Sequence, residues 1–325
     1  MGNNQSYEWN SDYDSTWEDE MRSMERKKKT ACKRSKAAKD MQNYRHGYPG
    51  APEYSYQVVP LMPRFLSNNY RHAWMANIIF ANVMDMTHVL HLRNYERGHI
   101  NPEMMPNLSF YRNIISYEPC GCIIEELLRK LKERCERLDD HDLCIQWIFP
   151  LRERGRNMFA KPLTTEELQI MKEDEEVMRR FLEVYEVFLQ FCGIQLLNKC
   201  SGEVTRADNW MERFSYLNRS SRNQLWITRA LKCLGELGYE RFQVSLVKFF
   251  LEETLCNNSL PNIKRSVLDY FMFSIKSKGL RQELVVFAWE HYKPQEKFVW
   301  GPVDKLRRYK ELYENMKENG WEDVD

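Results

Sequence analysis

Residues 124–138 read Ile124-Glu125-Glu126-Leu127-Leu128-Arg129-Lys130-Leu131-Lys132-Glu133-Arg134-Cys135-Glu136-Arg137-Leu138. Ile124, Leu127, Leu128, Leu131, Cys135 and Leu138 recur three and four apart, with Arg129, Lys130, Lys132, Glu133 and Arg137 on the other faces. That spacing puts the apolar side chains on one stripe of an amphipathic helix.

The same period continues towards the C-terminus. Ile145-Gln146-Trp147-Ile148-Phe149-Pro150-Leu151 is an apolar patch stopped by proline and followed by the charged loop Arg152 to Arg156, which predicts a buried turn. Thr164 and Glu167 form a capping-box pattern. From there Leu168, Met171, Met178, Phe181, Leu182, Tyr185, Phe188, Leu189 and Cys192 keep helical spacing up to Gly193. A span of that length predicts a break near the acidic run Glu173 to Glu176, since helices average about 11 to 12 residues. Further helical segments are expected over 205–217, 221–237 (ended by Gly238), 242–255 and 261–275, the last with Pro261 in its first turn. Gly279 is expected to separate a segment ended by Pro294, and Leu306, Tyr309, Tyr313 and Met316 seat a loosely held last helix. Short connections between these segments predict an all-α, compact multi-helix domain. No fixed-period repeat argues for a solenoid.

The N-terminal third reads differently. Residues 1–20 carry six acidic residues and no Lys or Arg, and 22–39 are predominantly basic, so 1–38 is expected to be a disordered charged tail. Residues 39–105 form an irregular part with prolines at its two ends, and a short helix is expected over 70–92. The window Ala73 to Leu92 is the most hydrophobic of the chain, yet Asn77, Asn82, Asp85 and His88 make it a poor membrane span.

Composition narrows the function classes. The 325 residues carry 48 Lys plus Arg against 47 Asp plus Glu, a net charge of +1, which disfavours nucleic acid as the organising partner. Hydrophobic residues at 43% support a packed core, while a mean hydropathy of -0.66 leaves room for polar ends. Thirteen glycines and twelve prolines are few for a turn-rich β protein. Nine irregularly spaced cysteines with no signal-peptide pattern predict reduced thiols in the cytoplasm or nucleus.

Two N-terminal features bear on location. Met1-Gly2-Asn3-Asn4-Gln5-Ser6 fits the acylation pattern at Gly2, or is simply an acidic leader. Arg26, Lys27, Lys28, Lys29, Lys33, Arg34 and Lys36 place seven cations in eleven residues. Such a patch suits nuclear import machinery or the anionic surface that a single acyl chain needs for stable membrane contact, or it merely solvates a helix start.

No motif for catalysis stands out. The chain lacks a glycine-rich phosphate loop, a His-Glu-x-x-His, a Gly-x-Ser-x-Gly elbow and the kinase set, and its seven histidines form no recognisable arrangement. The best metal-ligand set is Cys120, Cys122, Cys135, His141 and Cys144, but its spacing is not that of a zinc knuckle and Cys135 falls on an apolar stripe. A non-enzymatic protein without cofactor or metal is therefore expected. Trp300, Lys305, Arg307, Arg308, Tyr309 and Lys310 mix aromatic and basic types, yet Asp304, Glu311 and Glu314 alternate with them as in a salt-bridged exposed helix. Trp147, Trp210, Trp226, Trp289 and Trp300 are core rings or the walls of peptide-binding clefts.

Several segments resemble one known family. Lys39-Asp40-Met41-Gln42-Asn43-Tyr44-Arg45-His46-Gly47-Tyr48-Pro49 and Asn107-Leu108-Ser109-Phe110-Tyr111-Arg112-Asn113 are similar to the opening motifs of the opioid growth factor receptor domain. In the family's order follow 145–153, Ile227-Thr228-Arg229, Leu234-Gly235-Glu236-Leu237-Gly238, 249–255, Leu268-Asp269-Tyr270-Phe271-Met272-Phe273, 287–291 and Phe298-Val299-Trp300-Gly301-Pro302.

The resemblance implies an intracellular regulator of cell growth that binds the opioid peptide methionine-enkephalin, unrelated to the seven-helix opioid receptors and without their membrane spans. It also implies a perinuclear or nuclear address, which suits Arg26 to Lys36. The receptor and receptor-like branches both stay open. The resemblance covers 106–308 as its domain, leaving 309–325 as a C-terminal tail. Residues 50–105 are an atypical insertion, longer than the connection the family pattern implies, and no long low-complexity tail follows 308.

The family motifs fix no peptide-contacting residue. By type alone, Glu236, Glu252, Glu253, Asp269 and Glu290, with Tyr270 and Trp289, are candidates for the amine and aromatic groups of such a peptide, or are ordinary helix-surface residues. A helical scaffold or nuclear adaptor binding other proteins is the competing expectation.

Overall fold

A computed structural model describes residues 14–17, 36–48, 105–140 and 142–318. The helix expected over 70–92, Gly2 and six of the seven cations of the basic run lie outside the described residues. So does His141 of the cysteine and histidine set.

Helix α1 spans Lys36–Arg45, α2 Pro106–Tyr111, α3 Ile124–Glu133 and α4 Ile145–Ile148. In α3 the residues Ile124, Leu127, Leu128 and Leu131 are buried as the period requires, but the α-helix stops at Glu133 and Cys135–Asp139 continue as a 3-10 turn. The apolar patch at 145–151 docks as the short α4, wholly buried. Tyr111 of α2 donates its hydroxyl to the Ile148 carbonyl at 2.5 Å, tying two sequence motifs together.

The acidic run does break the long helical span. Helix α5 covers Thr165–Glu173, with the Thr164 hydroxyl accepting from the Glu167 amide at 3.0 Å. Helix α6 covers Glu175–Phe191, capped by the Asp174 carboxylate accepting from the Val177 amide at 3.1 Å. Two caps one residue apart from the helices they start explain the stop and restart: Asp174 ends one helix and satisfies the orphan amides of the next.

The expected helix over 205–217 is corrected. Val204–Arg206 is a strand, β2, paired antiparallel with β1 (Ile194–Leu196), and helix α7 begins only at Trp210 and runs to Leu217. Three-residue strands carry no readable alternation, and Thr205 and Arg206 fit either structure.

Helix α8 spans Ser221–Glu236 and α9 Glu240–Leu251, after which Glu252–Cys256 widen into a π turn. The segment 261–275 is not one α-helix: Pro261–Ile263, Lys264–Ser266, Val267–Phe271 and Met272–Ser274 alternate tight, regular and wide winding. Gly279 lies inside α10, Lys278–His291, rather than before it, because the Ser277 hydroxyl accepts from the Leu280 amide and starts the helix. Helix α11 spans Val303–Glu318 and runs unbroken across position 308. Its Leu306 is fully buried, so this end of the helix is held by the core.

The expected tail over 1–38 is also corrected in two places. Asp14, Thr16 and Trp17 are buried, with a 3-10 turn at Ser15–Trp17, and Lys36 to Ala38 already belong to α1, where both alanines are buried. Acidic composition hid this segment because its anchors are single side chains, Asp14 and Thr16 on arginines and Trp17 on Tyr309, not an apolar stripe. Helix α1 itself packs against Val267–Phe271 and Met272–Ser274. Its Met41 and Tyr44 are fully buried among them.

Candidate functional site, an acidic and aromatic cluster around Lys232

Asp40 and Tyr44 stand four apart on α1 and therefore share a face. Gly47 and Tyr48 then turn the chain with φ of 69° and 58°, which returns the Tyr48 ring to that same face. Opposite lies Lys232 of α8, whose side chain is only 3% exposed. Its ammonium donates to Asp40 at 3.1 and 3.2 Å and to Glu153 at 3.1 and 3.4 Å. The same Nζ lies 5.7 Å from the Tyr44 ring and 6.0 Å from the Tyr48 ring. Asp40 and Glu153 remain 38% and 32% exposed, so each carboxylate has one side on a buried cation and one on solvent.

Behind this rim the polar groups are closely tied. Tyr44 donates to the Lys232 carbonyl at 3.0 Å, and Gln243 donates to the Leu231 carbonyl at 2.7 Å and the Ser274 carbonyl at 3.1 Å. Glu236, 3% exposed, accepts from Lys276 at 3.1 Å, and that ammonium sits 5.1 Å from the Tyr44 ring. Burial first, then Glu153 and Glu236, pushes the Tyr48 phenol up, and burial with Glu236 does the same to Tyr44. Both rings therefore act as neutral aromatic walls at any physiological pH. The Tyr48 hydroxyl is buried and makes no hydrogen bond. Asp40, Glu153 and Glu236 are set against Lys232 and Lys276, with the Arg229 guanidinium interacting with Glu153 and Tyr48 and Arg152 beside Gly47, so the cluster holds no surplus of negative charge. What it offers a cationic guest is the solvent side of Asp40 and Glu153.

Of the residues singled out from sequence, Glu236 joins this cluster and Tyr270 borders it. Burial first, then Asp40 and Asp269, raises the Tyr270 phenol. Asp269 itself accepts from Trp300 Nε1 at 2.7 Å and Arg265 at 2.5 Å. The others lie elsewhere. Glu253 is clamped by Arg206 at 2.8 and 2.6 Å, within the π turn that also carries Glu252. Glu290 pairs with Lys310 at 2.5 Å, and Trp289 is buried in α10. Sequence reasoning missed Asp40, Glu153 and Lys232 as site residues, although each falls in or beside a family-like motif.

The remaining sequence candidates are readily placed. Trp147, Trp226, Trp289 and Trp300 are core rings, while Trp210 is half-buried under the Arg206 guanidinium at 4.1 Å. Lys36 is exposed in the first turn of α1. Among the described residues, the eight cysteines form no disulfide and no three His, Cys, Asp or Glu side chains gather as a metal site. No helix among them is long and apolar enough to cross a membrane.

Comparison with known proteins agrees with the motif pattern. The human opioid growth factor receptor is 52% identical over 205 residues, covering 63% of this chain and 30% of that protein. The mouse opioid growth factor receptor is 51% identical over 206 residues, covering 63% and 32%. The mouse opioid growth factor receptor-like protein 1 is 51% identical over 201 residues, covering 62% and 43%. The chain thus spans less than half the length of these relatives, and the receptor and receptor-like branches are equally near. No solved structure matches. The model of the opioid growth factor receptor conserved region matches residues 100–307, nearly two thirds of the sequence, and the chain belongs to that family.

Proposed function

We propose that this chain is a peptide-binding regulator, not an enzyme, and that it takes a short opioid-type peptide such as methionine-enkephalin through the peptide's free amino terminus. The observation that carries the reading is the pair Asp40 and Glu153, two half-exposed carboxylates held side by side on a buried ammonium next to Tyr48. A peptide ammonium seats between such carboxylates, and an aromatic side chain beside it stacks on tyrosine. The names of the related receptors support the same ligand class.

Calorimetry of the purified chain tests it, with methionine-enkephalin against the same peptide lacking its N-terminal tyrosine. Saturable one-site binding that needs the tyrosine supports reception. No heat well above micromolar concentrations, from folded protein, sinks it and leaves the adaptor reading. The basic run that ends at the exposed Lys36 serves, on this proposal, as the address for nuclear import or for a perinuclear anionic membrane surface, with or without an acyl group at Gly2.

A further inference from the structure

Asp14 to Trp17 sit against the fold as a bound peptide would. The Asp14 carboxylate accepts from Arg45 at 2.6 Å, with the two side chains 1% and 5% exposed. It also accepts from the Thr16 amide at 2.9 Å and the Thr16 hydroxyl at 2.5 Å, which folds the segment into a tight polar turn. The Thr16 hydroxyl in turn accepts from Arg281 Nε at 2.7 Å, and the Thr16 carbonyl from Gln282 at 3.2 Å. Lys305 donates to the Trp17 carbonyl at 2.5 Å. The Trp17 ring meets Tyr309 edge-on at 5.9 Å and lies over Gly301, where a Cβ would come within 3.1 Å of the indole nitrogen.

Together these contacts join the four-residue segment to four parts of the helical unit: α1, α10, α11 and the Trp300-Gly301 turn. The receiving groove is cationic. Arg45 and Arg281 flank it, with Glu240 the scaffold carboxylate that faces Arg281, and Lys305 stands at its edge. Burial first, then Arg45, depresses the Arg281 guanidinium to about 10, against the opposing pull of Asp14 and Glu240. An anionic occupant is what this surface complements. The side chains that fill it, carboxylate, hydroxyl two positions on and indole three positions on, make up a short linear motif.

We propose that the groove between α1, α10 and α11 is a peptide-recognition site for acidic segments of the form Asp-x-Thr-Trp, occupied in this chain by its own residues 14–17, which an acidic peptide of the same chemistry displaces. It uses neither Asp40 nor Glu153, so it stands or falls separately from the opioid-peptide reading. A ligand tied to the same chain competes at an effective concentration of order millimolar for a short linker, so external peptide is excluded until the tie is cut or the motif altered.

The test uses the full chain with a protease site inserted between residues 22 and 30. After cleavage, a labelled peptide spanning residues 8–22 is expected to exchange saturably into the folded protein. The Asp14→Ala and Trp17→Ala peptides are expected to fail, and the uncut chain to bind about 100-fold more weakly or worse. Arg281→Lys in the cleaved chain is expected to weaken binding about tenfold, since an ammonium lacks the planar guanidinium fork. Exchange that ignores Asp14 and Trp17, equal binding to the uncut chain, or unfolding once the fragment leaves would each overturn the proposal. In the last case residues 14–17 are an integral part of the core.

Discussion

Gly235 lies directly beneath Tyr44: a Cβ built at Gly235 falls 2.2 Å from the Tyr44 hydroxyl and 2.6 Å from Gln243 Nε2. The glycine lets α1 close onto α8, and so lets Asp40 reach Lys232. Gly235→Ala is expected to destabilise the chain by about 1–3 kcal/mol, the range for overpacking a filled core. Tyr44→Phe removes the clashing oxygen. The double variant is therefore expected to be less destabilised than the two single effects added together, measured as urea midpoints at constant slope. Strict additivity would show that the two residues do not meet.

Lys232 gives a prediction that separates binding from stability. Neutralising both Asp40 and Glu153 leaves a buried ammonium without carboxylate partners, a change that costs about 3–5 kcal/mol when a buried pair is broken. Lys232→Met instead removes the cation and frees both carboxylates. This variant is expected to bind an amine-bearing peptide more tightly than the parent, read by calorimetry. A weaker affinity in folded Lys232→Met protein would assign the cluster a purely structural role.

Glu253 sets part of the acid response. Burial alone would push its carboxyl up, but the bonds from Arg206 and Ser259 outweigh it and hold the group below the usual range. A carboxyl whose folded value is depressed stabilises the fold above its unfolded value, and that contribution is lost as pH falls through the folded value. Melting temperature is thus expected to drop below about pH 4.5, the ordinary range of a glutamate. In Glu253→Gln part of that drop is expected to disappear, together with some neutral-pH stability.

Glu167 works in the opposite sense. Burial raises its carboxyl despite hydrogen bonds from Asn107 Nδ2 and the Leu108 amide, each 2.9 Å long. A raised folded value favours the protonated form, so its contribution is fullest below the unfolded value and declines as pH rises through the folded one. Glu167→Gln is expected to be mild, because the Asn107 amide can turn its unpartnered Oδ1 towards the new NH2. Glu167→Ala strands two buried donors and is expected to cost about 1–3 kcal/mol each in thermal or urea unfolding.

These residues also show where the sequence was legible. The capping box at Thr164, the break at Asp174 and the apolar faces of α3, α6 and α8 follow from helical periodicity and capping, which are local. The hairpin at 194–206 and the wide turns after Leu251 and Ser266 were missed, because strands of three residues and a change of winding leave no periodic trace. The site was hardest to read. Lys232 meets Asp40 across 192 positions and Glu153 across 79, and Asp14 meets Arg45 across 31, so each pair exists only once the helices have packed. Residue type suggested carboxylates beside aromatics, but only packing decides which carboxylates keep a face to solvent.

The most direct test of the account compares methionine-enkephalin with its N-acetylated form, titrated into the intact chain and into Asp40→Asn protein. The free-amine peptide is expected to bind the parent chain saturably, to lose most of that affinity on acetylation, and to show a smaller acetylation effect in Asp40→Asn. Equal affinity for the two peptides, or an acetylation effect unchanged by Asp40→Asn, would contradict the claim that this acidic and aromatic cluster receives a peptide amine.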